Sequence, residues 1–387
     1  MSLAADDRDS APFTQALLDR CISCGFCLSS CPTYELTKDE ASSPRGRINL
    51  MRAAQDGEIS LEAPTSVTEA SLCLGCRACE PVCPAGVQYG ALLEEWRDQL
   101  WTKRRRPWRL TALLWAVDRR RRVSAIGWLR RPARPTVSRG AQGAPALMLG
   151  CFERALFPAV SRAAAASHPD VEVVPGQGCC GALHAHNGEL ERGRALARAL
   201  GERLPGTIVT TSGGCAAHLA SVLGPERVRE FSQWTAASAV ADDLVRIAHA
   251  DGRPLRLAYQ DSCHLRNGLG VSAEPRELLA RIGDYVELPS AGRCCGAAGT
   301  YALLQPLTSR TILDAKLDEL EAAEVDYVIA SNPGCLRQLQ QGLSRRRSTI
   351  RALHVAELVQ LSLATSARGG GAYPGTAQAP LGEARNI

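Results

Sequence analysis

Sixteen cysteines punctuate the 387 residues, and eight of them fall in two runs of one spacing. The runs are Cys21-Ile-Ser-Cys24-Gly-Phe-Cys27-Leu-Ser-Ser-Cys31-Pro32 and Cys73-Leu-Gly-Cys76-Arg-Ala-Cys79-Glu-Pro-Val-Cys83-Pro84. Each reads C-x2-C-x2-C-x3-C-P, the spacing with which thiolates hold [4Fe–4S] clusters. Three close sulfurs wrap one face of a cluster, and the fourth, before the proline, turns away to the other cluster. The expected ligand sets are therefore Cys21, Cys24, Cys27 with Cys83, and Cys73, Cys76, Cys79 with Cys31. The two runs must then lie against each other, although 41 residues separate Cys31 from Cys73. Zinc is the competing reading, but so tight a run suits a cluster better than two C-x2-C knuckles around one tetrahedral ion.

The other eight cysteines repeat as a pattern. Cys151, Cys179, Cys180 and Cys215 are followed by Cys263, Cys294, Cys295 and Cys335, at offsets of 112, 115, 115 and 120 residues. Packing explains a lone inert cysteine, not eight at matching strand ends with each adjacent pair followed by glycine. A further cluster is expected on Cys263, Cys294, Cys295 and Cys335, whose flanks Asp261-Ser-Cys263-His264 and Gly292-Arg-Cys294-Cys295-Gly296 are the stronger. Cys151, Cys179, Cys180 and Cys215 are the candidate set for another, and for either copy a decayed site kept for the fold is the competing reading. His218, three residues after Cys215, and His264, beside Cys263, are candidate iron ligands; His184, His186 and His354 read as hydrogen-bonding residues. No G-x-G-x-x-G follows a strand, and no P-loop or Ser-His-Asp arrangement is visible. The chain can move single electrons, whereas hydride chemistry belongs on a flavin in another subunit.

The elements that must position these cysteines differ along the chain. Residues 13–95 read as a mainly helical two-cluster domain, with a helical stretch from Ser43-Pro44 through Met51. Residues 96–140 are a basic helical connector holding five of the six tryptophans, Trp96, Trp101, Trp108, Trp115 and Trp128. Between 97 and 139 lie 14 Lys and Arg against Asp98 and Asp118, so this stretch carries +12 while the whole chain carries +5. Rings beside guanidinium groups are what a helix needs at an anionic membrane surface; a solvated linker or an acidic partner is the alternative. Binding to anionic vesicles at low salt separates these readings. From residue 141 strands alternate with helices, which implies parallel sheets in two repeated α/β domains, 141–250 and 251–366. The expected strands are Ala146–Leu149, Val171–Val174, Thr207–Thr211, Arg256–Tyr259, Tyr285–Leu288 and Tyr327–Ala330. The cysteines follow strand ends, where open α/β sheets bind ligands. The tail 367–387 is Gly/Ala/Pro-rich and reads as disordered. The fold class is thus α/β overall with a helical N-terminal domain. The start, Met1-Ser-Leu-Ala-Ala-Asp-Asp-Arg-Asp, lacks a signal peptide's features, no run of about 18 apolar residues occurs, and iron-ligating thiols need a reducing compartment. A cytoplasmic setting is expected, and no nucleic-acid recognition motif accompanies the positive charge.

These residues resemble a known family. Cys21 through Tyr34, Pro44-Arg-Gly-Arg-Ile48, Cys83-Pro-Ala-Gly-Val-Gln-Tyr-Gly90, Cys295-Gly-Ala-Ala-Gly-Thr-Tyr-Ala302 and Asn332-Pro-Gly-Cys335 are similar to the iron–sulfur subunit of bacterial glycolate oxidase. The resemblance spans roughly 13–365. It implies two [4Fe–4S] clusters, two FAD-linked oxidase subunits as partners, and electrons passed from glycolate oxidation toward the quinone pool at the inner face of the membrane. The lactate-utilisation iron–sulfur protein, an anaerobic glycerol-3-phosphate dehydrogenase component and the cysteine-rich component of heterodisulfide reductase share the repeat. In the last of these each copy ends in C-x-x-C; here the ends read Cys215-Ala-Ala-His218 and Cys335-Leu-Arg-Gln338. One thiolate per copy is missing, so at most one four-iron cluster per repeat is expected and direct disulfide reduction is disfavoured.

Overall fold

The computed structural model describes residues 11–103, 106–117 and 145–367. The N-terminal part is helical: Pro32–Thr37, Pro44–Gln55, Pro64–Leu72 and Tyr89–Lys103. Three of these begin on proline, whose fixed φ suits the first helical position and whose missing N–H costs nothing there. Ser43 caps the second by accepting from the Gly46 N–H at 2.9 Å. The helix begins where the sequence places it and runs four residues beyond Met51. Leu18, Ile48, Met51, Leu92 and Trp96 form the core beneath both cysteine runs.

The helix Tyr89–Lys103 carries the chain across residue 96 into the basic stretch, and two tryptophans expected at a membrane surface are packing residues instead. Trp96 is fully buried and Trp101 is half-buried against the N-terminal core. Arg97 is likewise internal, donating to the carbonyls of Ala70, Cys73 and His186 at 2.6–3.0 Å. These three lie on the helix face turned to the cysteine runs, which a count of charge cannot reveal. Trp108 and Trp115, on the helix Trp108–Val117, are exposed. Trp128 and most of the arginine run fall outside the described residues, as does nearly all of the 367–387 tail.

Two parallel sheets follow. The first has the order β1-β2-β3, from Ala146–Met148, Ile208–Thr210 and Val228–Glu230. The second has the order β5-β4-β6-β7, where β4 is Arg256–Gln260, β5 Asp284–Val286, β6 Tyr327–Ala330 and β7 Arg351–His354. The expected strand 171–174 shrinks to one parallel bridge, Glu172 to Ala146, because the Gln177 side chain takes the next ladder positions on β1, accepting from the Leu149 N–H at 2.7 Å and donating to the Leu147 carbonyl at 2.6 Å. With that bridge counted, the sheets share one strand order. β3 and β7 are additional to the six strands read from the sequence, being too short for their alternation to register.

Each repeat ends by covering the other. The helix after β3, Phe231–Ala236, packs on Ala273–Ile282 of the second repeat, and the helix after β7, Val355–Ser366, packs on Pro158–Ser167 of the first. Both begin with a capping box, Glu230 with Gln233 and His354 with Glu357. Leu147, Val160, Val209 and Phe231 therefore share one core with Leu257, Leu278, Val328 and Val355.

His354 fastens this arrangement. Its Nδ1 accepts from the Ala356 N–H at 3.1 Å, and its Nε2–H donates to the Thr211 carbonyl of the first repeat at 2.8 Å. Accepting at Nδ1 needs the neutral ring, and burial pushes the pKa down to about 4. The unfolded chain therefore binds the extra proton first: this contribution is complete above pH ~6.5 and declines as pH falls toward ~4. We expect the wild-type urea midpoint to fall between pH 7 and pH 5 by the equivalent of about 2 kcal/mol from this residue. His354→Asn, a neutral cap, should show a correspondingly flatter profile; equal slopes would assign the acid sensitivity elsewhere.

Candidate iron–sulfur sites

None of the sixteen cysteines is in a disulfide. The two N-terminal runs lie against each other. One cavity is lined by Cys21, Cys24 and Cys27 together with Cys83 and, at its inner wall, Cys79; Ile22, Phe26, Pro84 and Ala85 make an apolar rim. Cys24 is the exposed cysteine of this set, and Ile22 and Phe26 stand 68% and 66% exposed beside it. Cys31 turns the other way, into the buried group of Cys73, Cys76 and Cys79, and the mutual field of these sulfurs registers on Cys76 and Cys79.

The donor chemistry of this buried group fits an iron centre. Burial, more than any neighbour, pushes the Cys76 and Cys79 thiols well above the ordinary range, so thiolates there need positive charge close by. The fold supplies part of it. Arg47, fully buried, pairs with Glu69 at 3.0 Å and donates to Thr33 Oγ1 at 3.0 Å. Burial alone would lower the Arg47 pKa, but Cys73, Tyr89, Cys31 and Glu69 around it outweigh that and raise it. The Tyr89 hydroxyl lies 3.6 Å from Cys73 Sγ and Thr33 Oγ1 lies 3.2 Å from Cys31 Sγ. Polar groups around sulfur of this kind tune a cluster.

In each repeat four cysteines from three loops converge at the carboxyl ends of the strands. Cys151 Sγ is 4.0 Å from Cys179 Sγ, and Cys180 Sγ is 3.1 Å from Cys215 Sγ. In the second repeat Cys263 meets Cys294, and Cys295 meets Cys335. Cys151 and Cys263 open helices, and Cys215 and Cys335 sit in the first turn of others, where unpaired N–H groups favour thiolate. Cys295 is held below the ordinary thiol range by hydrogen bonds from Cys294 and Cys335, and further by the buried Lys316 ammonium. The glycine after each cysteine pair has a definite cause. Gly181 and Gly296 have φ of +85° and +84°, and a Cβ would stand 2.1 Å from Gly193 O and 2.6 Å from Ser309 O.

The four sets are not isolated. Cys263 is, after burial, the strongest influence raising Cys76, and Asn267 Nδ2 donates to the Cys76 carbonyl at 2.9 Å. Leu74, Cys76, Cys263, Cys294 and Tyr301 form one small apolar cluster joining the N-terminal domain to the second repeat. Toward the first repeat the gap holds histidines: the His186 ring centroid is 4.8 Å from that of His264 and 6.1 Å from that of His218. Glu94 accepts from His186 at 2.7 Å. Burial opposes the Glu94 charge, but His186 and its neighbours hold the pKa down at about 2.

The histidine expectations divide. His264 Nδ1 lies 3.6 Å from Cys263 Sγ, whereas His218 donates Nε2–H to Gly193 O at 3.3 Å. His184 pairs with Glu189, as a hydrogen-bonding residue would. Sequence reasoning missed Glu94 and Lys316, and it quoted Arg47, Tyr301 and Asn332 within motifs without giving them a role. Asn332 accepts from Ser212 Oγ and the Gly214 N–H and donates toward Cys335 Sγ, joining the equivalent loops of the two repeats. Its place in Asn332-Pro-Gly-Cys335 was the available signal.

Comparison with known proteins agrees with this architecture. The pattern of a 4Fe-4S dicluster domain matches residues 17–87, and that of a Cysteine-rich domain matches 146–220 and 257–340. The chain is 35% identical to the probable glycolate oxidase iron-sulfur subunit of Bacillus subtilis strain 168, over 88% of this chain and 92% of the relative. It is 31% identical to the glycolate oxidase iron-sulfur subunit of Escherichia coli K12, over 90% and 95%. Lactate utilization protein A 2 of Bacillus cereus is 28% identical over 56% of this chain and 98% of its own length. A solved structure, a hypothetical protein from Helicobacter pylori, shares the fold with a TM-score of 0.52 at 8% identity, over 83% of this chain and 66% of that one.

Proposed function

This chain belongs to the family of glycolate oxidase iron–sulfur subunits, and from that premise we propose that it carries electrons from glycolate, oxidised on the FAD of two partner subunits, toward a quinone. It is an iron–sulfur electron-transfer subunit of an oxidoreductase complex. Bound to these thiolates, the clusters supply one-electron steps. In this reading Cys21, Cys24, Cys27 and Cys83 hold one [4Fe–4S] cluster, and Cys73, Cys76, Cys79 and Cys31 hold the other. Cys263, Cys294, Cys295 and Cys335 hold a third centre, and Cys151, Cys179, Cys180 and Cys215 a fourth, with the divisions 13–95, 96–140, 141–250 and 251–366 as the functional units. The complex works in the cytoplasm at the inner face of the membrane, touching it through the part of residues 96–139 that follows Trp101. No helix among the described residues is long and apolar enough to cross a membrane.

The observation that carries this reading is the contact of Cys76 with Cys263, which joins the N-terminal sulfurs to those of the second repeat. The chain's own part is to hold the thiolates, shield them in apolar surroundings and leave Cys24 at the surface. Glycolate is favoured over lactate because the glycolate oxidase relatives match nearly the whole chain, and the lactate-utilisation relative about half. The test is iron and acid-labile sulfide in oxygen-free protein co-purified with its flavoprotein partners. At four irons per cluster, about 12 to 16 per chain are expected, and adding glycolate should reduce the paramagnetic centres. About eight or fewer would confine clusters to the N-terminal runs; reduction by lactate but not glycolate would reassign the substrate.

A further inference from the structure

We propose that the cleft between the helix Trp108–Val117, the N-terminal domain and the loop 298–305 is the binding site for the quinone. This rests on the preceding reading that a quinone takes the electrons. The cleft has a volume of about 280 Å³, at the small end of small-molecule sites. Leu74, Trp101, Leu110 and Leu304 give it apolar walls, and Cys73 lines its floor.

Its polar groups select the ligand. Arg97 borders the cleft but spends its guanidinium on three backbone carbonyls, and Thr300 donates to Asn187 at 2.6 Å. Neither is free for a ligand, and Arg109, which also lines the cleft, stands over the Trp108 ring, 5.6 Å from its centroid. Tyr301 differs: it is 3% exposed, and its hydroxyl has no well-formed hydrogen bond, Thr308 approaching only loosely. A buried donor in an apolar cleft wants a neutral acceptor such as a carbonyl oxygen. Tyr301 also feels both Cys73 and Cys294, so a molecule beside it sits where the second N-terminal set and the second repeat meet. The mouth is apolar as well, with Leu303 41% exposed and the neighbouring Trp108 and Leu307 at 74% and 81%. A flat, neutral carbonyl compound with an apolar tail leaving past Leu303 satisfies all of this.

The stoichiometry closes. Two electrons, arriving singly and released by the two-electron oxidation of the hydroxy acid, join two protons from solvent to turn the quinone into hydroquinone. The Tyr301 O–H donates only a hydrogen bond to the carbonyl oxygen.

Photolabelling the anaerobic complex with an azido-substituted short-chain quinone, followed by peptide mapping, tests the site without relying on turnover. Label is expected within 101–110 or 298–305, and excess decylubiquinone should suppress it. Calorimetry should show decylubiquinone affinity weakened roughly tenfold by Leu303→Trp, which crowds the mouth, and about threefold to tenfold by Tyr301→Phe. Iron and sulfide content reports whether each variant is folded and loaded. Label elsewhere, or unchanged affinity in both fully loaded variants, overturns the site alone. A wild-type complex that reduces dyes with glycolate yet neither binds nor reduces a quinone overturns the site and the acceptor reading together.

Discussion

Cys76→Ser is expected to remove about four irons per chain, one cluster's worth, and to cut glycolate-driven electron delivery to the acceptor at least ~100-fold, the upper range reached even by outer-shell changes at metal sites. The reason is position. Cys76 is buried, belongs to the sulfur group completed by Cys31, and lies against Cys263. Losing it opens the line at its middle, with the Cys24 end and the second-repeat end still intact. Cys24→Ser is the informative contrast: Cys24 is exposed, so a serine oxygen there keeps water for company and should damage its cluster less. Paramagnetic spectra of dithionite-reduced protein separate the two, since each variant should lose a different signal. If Cys76→Ser retains full iron and full delivery, Cys76 is not a cluster ligand and the line does not run through it.

Arg47→Leu should be the most damaging change that touches no ligand. Leucine leaves Glu69, nearly buried itself, without the guanidinium that meets it at 3.0 Å. Breaking a buried pair from one side costs about 3–5 kcal/mol, because a charge stays behind. It would also withdraw positive charge facing Cys73 and Cys31, which should lower the reduction potential of the centre they hold. Arg47→Met combined with Glu69→Gln removes both charges and should recover much of the stability but not the potential. Urea midpoints and a redox titration read the two effects separately. A single variant as stable as wild type would mean Glu69 takes a proton cheaply on losing its partner.

Cysteine spacing carried most of what could be read before any coordinates. The C-x2-C-x2-C-x3-C-P runs announce their pairing, and the offset copies of Cys-Cys-Gly announce a duplicated parallel sheet, because backbone geometry demands those residues at those intervals. The glycines illustrate this: Gly181 and Gly296 are dictated by a left-handed backbone and a carbonyl pressed against the missing Cβ. What escaped was long-range. Nothing local in Trp96 or Arg97 tells that they face inward, and the pairing of Arg47 with Glu69 joins helices 22 residues apart. Tyr301 becomes notable only once Cys73 and Cys294 are seen on either side of it. β3 and β7 are formed by pairing with neighbours, and three or four residues leave little periodicity to detect.

The exchange of closing helices makes damage travel. A chain cut short after His354 would keep every cysteine, and every strand of the second sheet, yet strip the cover from Pro158–Ser167 in the first. Sickness at one end of the polypeptide would surface at the sulfurs of the other repeat, and neither half could be grafted elsewhere without bringing its twin.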